Sequence, residues 1–354
     1  MSVFPSKVNY ATGDILTATD MNEIGQAINL LDGAQFAAGK NKIINGDFGV
    51  WQRGTSFTAN GVYSADRWYQ VWDGSGATKT ITQQTFTPGT APVAGYEGQY
   101  FLRFAQSVAG TAGTYNSLTQ RIEDVRTFAG QTITISFWAK ASASVSMATA
   151  PQLIQNFGSG GSATVYPGFT GTAPALTTSW QRFTYTTTVP SISGKTIGTS
   201  SYLETGFLLP INSTFTIDIW GVQLEAASTA SPFQTATGTK QGELAACQRY
   251  YFRTNNVLTG AVVSPTGIAQ ATTQLRVAYP LKQTMRVSPT AIEYSSLQVV
   301  DGASGYAVTN VTFANNGSCD FNDLIFTTSG MTLYRPGFVN TTASTGYLGF
   351  TAEL

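Results

Sequence analysis

Trp51, Trp68, Tyr69 and Trp72 fall within 22 residues, and exposed rings of this kind stack on the apolar faces of sugars. The competing use is core packing, with the polar tips of Trp and Tyr tied to nearby acceptors. Tyr69 and Trp72 have opposite parity along a strand, so the chain can turn one of them to solvent while the other packs. These two are the candidate binding residues. Trp68 is read as a packing residue, and Arg53 as a packed, hydrogen-bonded one.

Other chemistry is narrowed by what the chain lacks. There is no histidine in 354 residues, so Ser-His-Asp and Cys-His arrangements and histidine metal sites are excluded. Hydrolysis of a glycoside by two carboxylates remains chemically open. Its acids, Asp66, Asp73, Glu97, Glu123, Asp124, Glu204, Asp218 and Glu225, are scattered, and nothing in the sequence pairs them. No catalytic residue, metal site or cofactor is assigned, and no enzyme activity is expected. Lys plus Arg balance Asp plus Glu at 19 each, which removes the basic footprint that phosphate backbones need. Nucleic acid is therefore not an expected partner. Cys247 and Cys319 are too few for a disulfide framework and are read as two small buried thiols. The segment Met1 to Lys7 has no charged stretch followed by an apolar core, and no run approaches the ~18 apolar residues of a membrane span. Neither export nor membrane insertion is expected.

The elements that must carry these residues are mainly strands. Aromatic and β-branched residues suit pleated strands, and 36 Gly with abundant Ser and Thr supply turns. Ile133, Ile135, Phe137 and Ala139 alternate with Thr132, Thr134, Ser136 and Lys140, predicting a half-buried strand. Phe183, Tyr185 and Val189 share a face in the same way, as do Phe215, Ile217 and Ile219, and later Leu275, Val277 and Tyr279. The single helix signal is Thr17 to Asp32, with Thr17 as N-cap and Asp20 in the capping position. Its stripe Met21, Ile24, Ile28 and Leu31 fits either a short oligomer seam or a helix lying on its own domain. The fold expected is mainly β: an N-terminal arm and short helix (1–40), a jelly-roll-like β-sandwich (41–225), a connector (226–246), and a second, sandwich-like β domain (247–354).

Several blocks carry a resemblance. The stretch 41–57 contains Ile44-Asn45-Gly46-Asp47-Phe48 and Trp51-Gln52-Arg53-Gly54, followed by Ala65-Asp66-Arg67-Trp68. Later come Gln223-Leu224-Glu225, Ser231-Pro232-Phe233, Glu243-Leu244-Ala245-Ala246-Cys247-Gln248-Arg249-Tyr250-Tyr251, Met285-Arg286-Val287-Ser288-Pro289-Thr290, and Phe350-Thr351-Ala352-Glu353-Leu354. Their order resembles bacteriophage tail-fibre and head-fibre proteins, and Asn45-Gly46-Asp47-Phe48 also resembles the opening of jelly-roll carbohydrate-binding modules. In those modules a Glu and a late-strand Asp hold calcium; here the Glu position is Gly49, while Asp218 falls where the Asp would.

The resemblance implies a homotrimeric virion protein, assembled in the bacterial host cytoplasm. It would adhere to a bacterial surface polysaccharide with no catalysis. Val3, Phe4 and Val8 are apolar residues in a segment too short to form its own core, so the N-terminal arm is expected to dock them on another virion protein, the alternative being an arm folded back on its own trimer. The alternatives are a capsid-fibre, decoration or baseplate protein without glycan binding, and a carboxylate-based polysaccharide depolymerase.

Overall fold

The computed structural model describes residues 17–22, 24–25, 39–93, 96–254, 258–302, 304–314 and 317–354. The expected alternation builds two face-packed sheets. The first runs in the spatial order Ser56–Phe57, Thr78–Thr85, Tyr100–Val108, Phe215–Glu225, Thr132–Ala141 and Gln181–Thr188. The second runs Val62–Tyr63, Tyr69–Trp72, Asn116–Glu123, Tyr202–Leu208 and Gln152–Asn156. Non-sequential neighbours in both sheets are what a jelly-roll winding requires. Between the sheets lie Ile133, Ile135, Phe137, Ala139, Phe207, Ile217, Ile219, Leu118 and Leu203, the inward residues of alternating strands.

One expectation changes. The strand Thr132–Ala141 is buried on both faces, because Thr134, Ser136 and Trp138 are covered as fully as their inward neighbours. The cover is a second apolar cluster of Phe86, Phe101, Trp138, Trp220 and Phe233 on the outside of the six-stranded sheet. Phe233 belongs to the stretch 226–246, read from sequence as a connector, and its ring packs tilted against Trp220 with centroids 4.9 Å apart. Glu225 anchors the same stretch by accepting hydrogen bonds from Ser231 N and Oγ.

The C-terminal unit has a three-stranded sheet ordered Tyr251–Arg253, Tyr347–Thr351, Ala291–Ser295. Its larger sheet has seven strands, from Gly305–Ala307 at one edge to Asn310–Phe313 at the other. Leu275, Val277 and Tyr279 point into its separate core, as their alternation predicts.

Two helices are found among the described residues. The first, α1, occupies 18–22 and 24–25. Its predicted capping box is present: Thr17 N donates to Asp20 Oδ2 (2.9 Å) and Asp20 N to Thr17 Oγ1 (3.2 Å). Met21 is exposed and Ile24 half-buried, whereas Ile28 and Leu31 lie outside the described residues, as do Val3, Phe4 and Val8. The second, α2 (Lys240–Gln248), is a helix that the sequence reading did not anticipate. Thr239 caps it through Oγ1, which accepts from Gly242 N at 3.0 Å. Its apolar periodicity is weak, and Gly242 lowers its intrinsic propensity. Packing stabilises it, with Cys247 fully buried. Cys319 is only half-buried, with Sγ 3.6 Å from Asp320 Oδ2, and both cysteines are free thiols. No helix among the described residues is long and apolar enough to cross a membrane.

Candidate functional site

The recurrent sequence blocks converge on the joint between the two β units. Asn45 takes a positive φ of 58°, and its side chain bonds Val50 N, Val50 O and Asp66 O. A Cβ on Gly46 would stand 2.1 Å from Val222 O, so only glycine fits there. Trp68 is fully buried and donates its indole N–H to Asn45 O. Gln52 bridges the units by donating to Asp66 Oδ2 and to Tyr251 O (2.7 Å). The Arg53 guanidinium lies 3.4 Å from the centroid of Tyr251, and that of Arg67 lies 3.4 Å from Tyr250. Both arginines pair with Glu353. Arg121 and Tyr63 donate to Leu354 O, and Arg286 donates to Ala352 O and Glu353 O.

The electrostatics of this joint follow from its burial. Desolvation pushes the Asp66 carboxyl up to about 6, against the pull of Arg53 and the hydrogen bonds from Gln52. Burial likewise pushes the phenols of Tyr63 and Tyr250 up to about 12. Cys247, buried beside these charges, is raised well above the ordinary thiol value. These contacts hold the two units together.

A ligand surface has to be sought on an outer sheet face. That of the six-stranded sheet is largely closed by its aromatic cluster. Beside the cluster, Asp218 forms a bidentate pair with Arg103 (2.7 and 2.9 Å) and stands 3.7 Å from Lys140, so its carboxylate serves this sheet face.

Among the described residues, the outer face of the five-stranded sheet carries no such aromatic cluster, and its Arg121, Tyr69, Tyr202 and Gln152 are partly accessible. Arg121, Glu204 and Ile154 face one another in register across three strands. Arg121 Nε donates to Glu204 Oε2 at 2.9 Å, and Gln152 Nε2 donates to Glu204 Oε1 at 3.0 Å. Rings flank this polar line: the Arg121 guanidinium is 4.7 Å from the centroid of Tyr202 and 5.4 Å from that of Tyr69. Val165 bridges to Gln155 and places Tyr166 beside the sheet. Tyr166 is 73% exposed and is close enough to Tyr202 to act on its phenol electrostatically.

Tyr69 thus stands at one side of this face, half-buried and 5.1 Å from the ring of Tyr63. Trp72 does not join it. Its ring packs edge-on to Phe104 at 6.2 Å, toward the core, with Lys79 Nζ 4.7 Å from its centroid. Arg121, Tyr166, Tyr202 and Gln152 escaped the sequence reading. The parity of 116–123 and 202–208 could have flagged Arg121 and Tyr202, since Leu118, Leu203 and Phe207 point inward.

The fold defines a protein of two β-sandwich-like units, the first with a jelly-roll-like winding. No family model and no curated relative matches the sequence. Among solved structures, the enzymatically active domain of tailspike protein 4 of bacteriophage CBA120 is 14% identical with a TM-score of 0.34, covering 53% of this chain and 22% of that one. A putative sugar-binding protein of Bacteroides thetaiotaomicron is 14% identical with a TM-score of 0.34, covering 53% of this chain and 100% of that one. The family 11 carbohydrate-binding module of a Clostridium thermocellum cellulosomal cellulase is 14% identical with a TM-score of 0.29, covering 49% and 95%. Likenesses of this size carry no functional argument, which rests on the residues above.

Proposed function

We propose that this chain is a bacteriophage virion appendage protein, a tail or head fibre that adheres to bacterial surface polysaccharide without catalysis. The observation that carries the glycan reading is the five-stranded face on which Tyr69 and Tyr202 flank the Arg121–Glu204–Gln152 line, with the exposed Tyr166 near Tyr202. Aromatic faces with a few fixed polar groups suit the alternately apolar and hydroxylated surface of a pyranose chain. Seven of the eight carboxylates considered for hydrolysis are taken up by separate partners: Asp66 by Gln52, Asp73 by Thr114, Glu123 by Arg249, Asp124 by Arg126, Glu204 by Arg121, Asp218 by Arg103 and Glu225 by Ser231, while Glu97 is exposed and accepts from Gly89 N. That distribution supports binding over hydrolysis. The virion reading rests on the ordered sequence blocks, which a rigid two-unit appendage would need at its joint.

The test is binding of purified host envelope polysaccharide by calorimetry. The double variant Tyr166→Ala/Tyr202→Ala should bind at least tenfold more weakly, about 1.4 kcal/mol, with an unchanged melting temperature. Equal affinity in wild type and variant, or release of oligosaccharides during incubation, would sink the reading.

The appendage is further proposed to be a homotrimer, with the Met21, Ile24, Ile28 and Leu31 stripe at its axis and Val3, Phe4 and Val8 docked on another virion protein. Light scattering should report three chains per particle, and Ile24→Ser/Ile28→Ser should weaken assembly while both β units stay folded on their separate cores. A monomer throughout the micromolar range would exclude the trimer.

A further inference from the structure

A cavity of about 860 Å³ opens beside the joint, away from the five-stranded face. Its walls come from the turn 47–52, the loop 96–99 and the stretch 233–244. Trp51 forms an ordered wall: its indole N–H is tied to Phe48 O at 2.7 Å, and its ring stacks on Phe57 with centroids 6.3 Å apart. Asp47 accepts from Tyr96 Oη at 3.2 Å and from Gly49 N at 3.3 Å. Gln234 presents a buried side-chain oxygen with no partner. Glu97 and Lys240 are exposed at the rim. Glu243 also reaches the wall, but its oxygens are taken by Asn45 N, Thr237 N and Thr237 Oγ1.

This lining is rich in acceptors, with the carboxyls of Asp47 and Glu97 set against the single ammonium of Lys240. A ligand that fits must donate hydrogen bonds, offer an apolar face to an indole, and carry no negative charge. The volume lies within the ~300–1,000 Å³ of small-molecule sites and suits a saccharide end more than a running chain. We propose that this cavity is a second saccharide site, which takes the end unit of a neutral or amine-bearing glycan and discriminates against uronates. Sugar hydroxyls or an ammonium would donate to Asp47 and Glu97 while the ring lies on Trp51. The inference deepens the glycan reading but uses a different surface, so the two can fail separately.

The experiment is a titration of full-length, fluorotryptophan-labelled protein with glucose, galactose, N-acetylglucosamine, glucosamine and glucuronate, the Trp51 resonance being assigned with Trp51→Phe. At least one neutral or amino sugar should shift that resonance, and glucuronate should bind at least tenfold more weakly. Leu244→Trp should weaken the preferred sugar at least tenfold by obstructing the mouth, since Leu244 lines the cavity and is 40% exposed. Tyr202→Ala should leave the titration unchanged. Leu244→Trp alters an exposed position, so both β units are expected to stay folded in it. A silent Trp51 resonance, equal binding of glucuronate, or full affinity in Leu244→Trp overturns the proposal. Loss of polysaccharide binding in the Tyr166/Tyr202 variant alongside a silent Trp51 would leave the sheet face standing and remove this site alone.

Discussion

Replacing Arg67 by alanine should destabilise the protein by roughly 3–5 kcal/mol, the cost of removing one partner from a buried ion pair. The Arg67 side chain is 1% exposed and that of its partner Glu353 is 7% exposed. The guanidinium also donates to Arg121 O and lies on the Tyr250 ring. After truncation the Glu353 carboxylate stays buried with Arg53 as its remaining ion-pair partner, at 3.2 Å. Arg67→Lys should rescue little, because an ammonium cannot stack on the ring while forking to a carboxylate and a carbonyl. Urea denaturation followed by tryptophan fluorescence measures the effect. A loss below about 1 kcal/mol, the range of exposed pairs, would mean that the joint does not depend on this pair.

The second large effect is pH dependence at Asp66. Its carboxyl has an ordinary value of 3.8, raised to about 6 in the fold by burial. Between these values the folded state holds a proton that the unfolded chain has released. Stability from this group is therefore greatest below about pH 4, falls as pH rises to about 6, and stays level above. The full change is on the order of 3 kcal/mol. Glu123 and Glu225 run the other way: burial would raise them, but hydrogen bonds from Arg249 and Tyr250, and from Ser231 and Gln223, hold them below the usual value. Their contribution is lost as pH falls, so the bare stability curve mixes opposite slopes. The Asp66 share appears in the difference between wild type and Asp66→Asn, followed from pH 4 to pH 7. That difference should decline up to about pH 6 and then flatten; a level difference throughout would contradict the assignment.

Much of the architecture was legible because strand alternation is local. Ile133 to Ala139 and Leu275 to Tyr279 face inward as their period of two requires, and the Thr17/Asp20 capping box forms within one turn. The outer burial of Thr134, Ser136 and Trp138 was not legible, since their cover includes Phe233 from a segment almost a hundred residues away. Helix α2 escaped for a similar reason: its stability derives from tertiary packing more than from propensity.

The candidate site divides along the same line. The absence of histidine excludes a family of mechanisms without reference to any coordinates, because a missing side chain is missing in every conformation. The balanced charge and the strand-forming composition are likewise properties of the chain alone. Which rings meet was decided by the tertiary structure. Tyr69 and Trp72 are three residues apart on one strand, yet Trp72 packs toward Phe104 while Tyr69 joins Arg121 and Tyr202 on the five-stranded face. Exposure depends on what the rest of the chain lays over each sheet. Here the aromatic cluster around Trp220 covers the middle of one outer face, while Arg121 and Tyr202 on the other stay partly accessible.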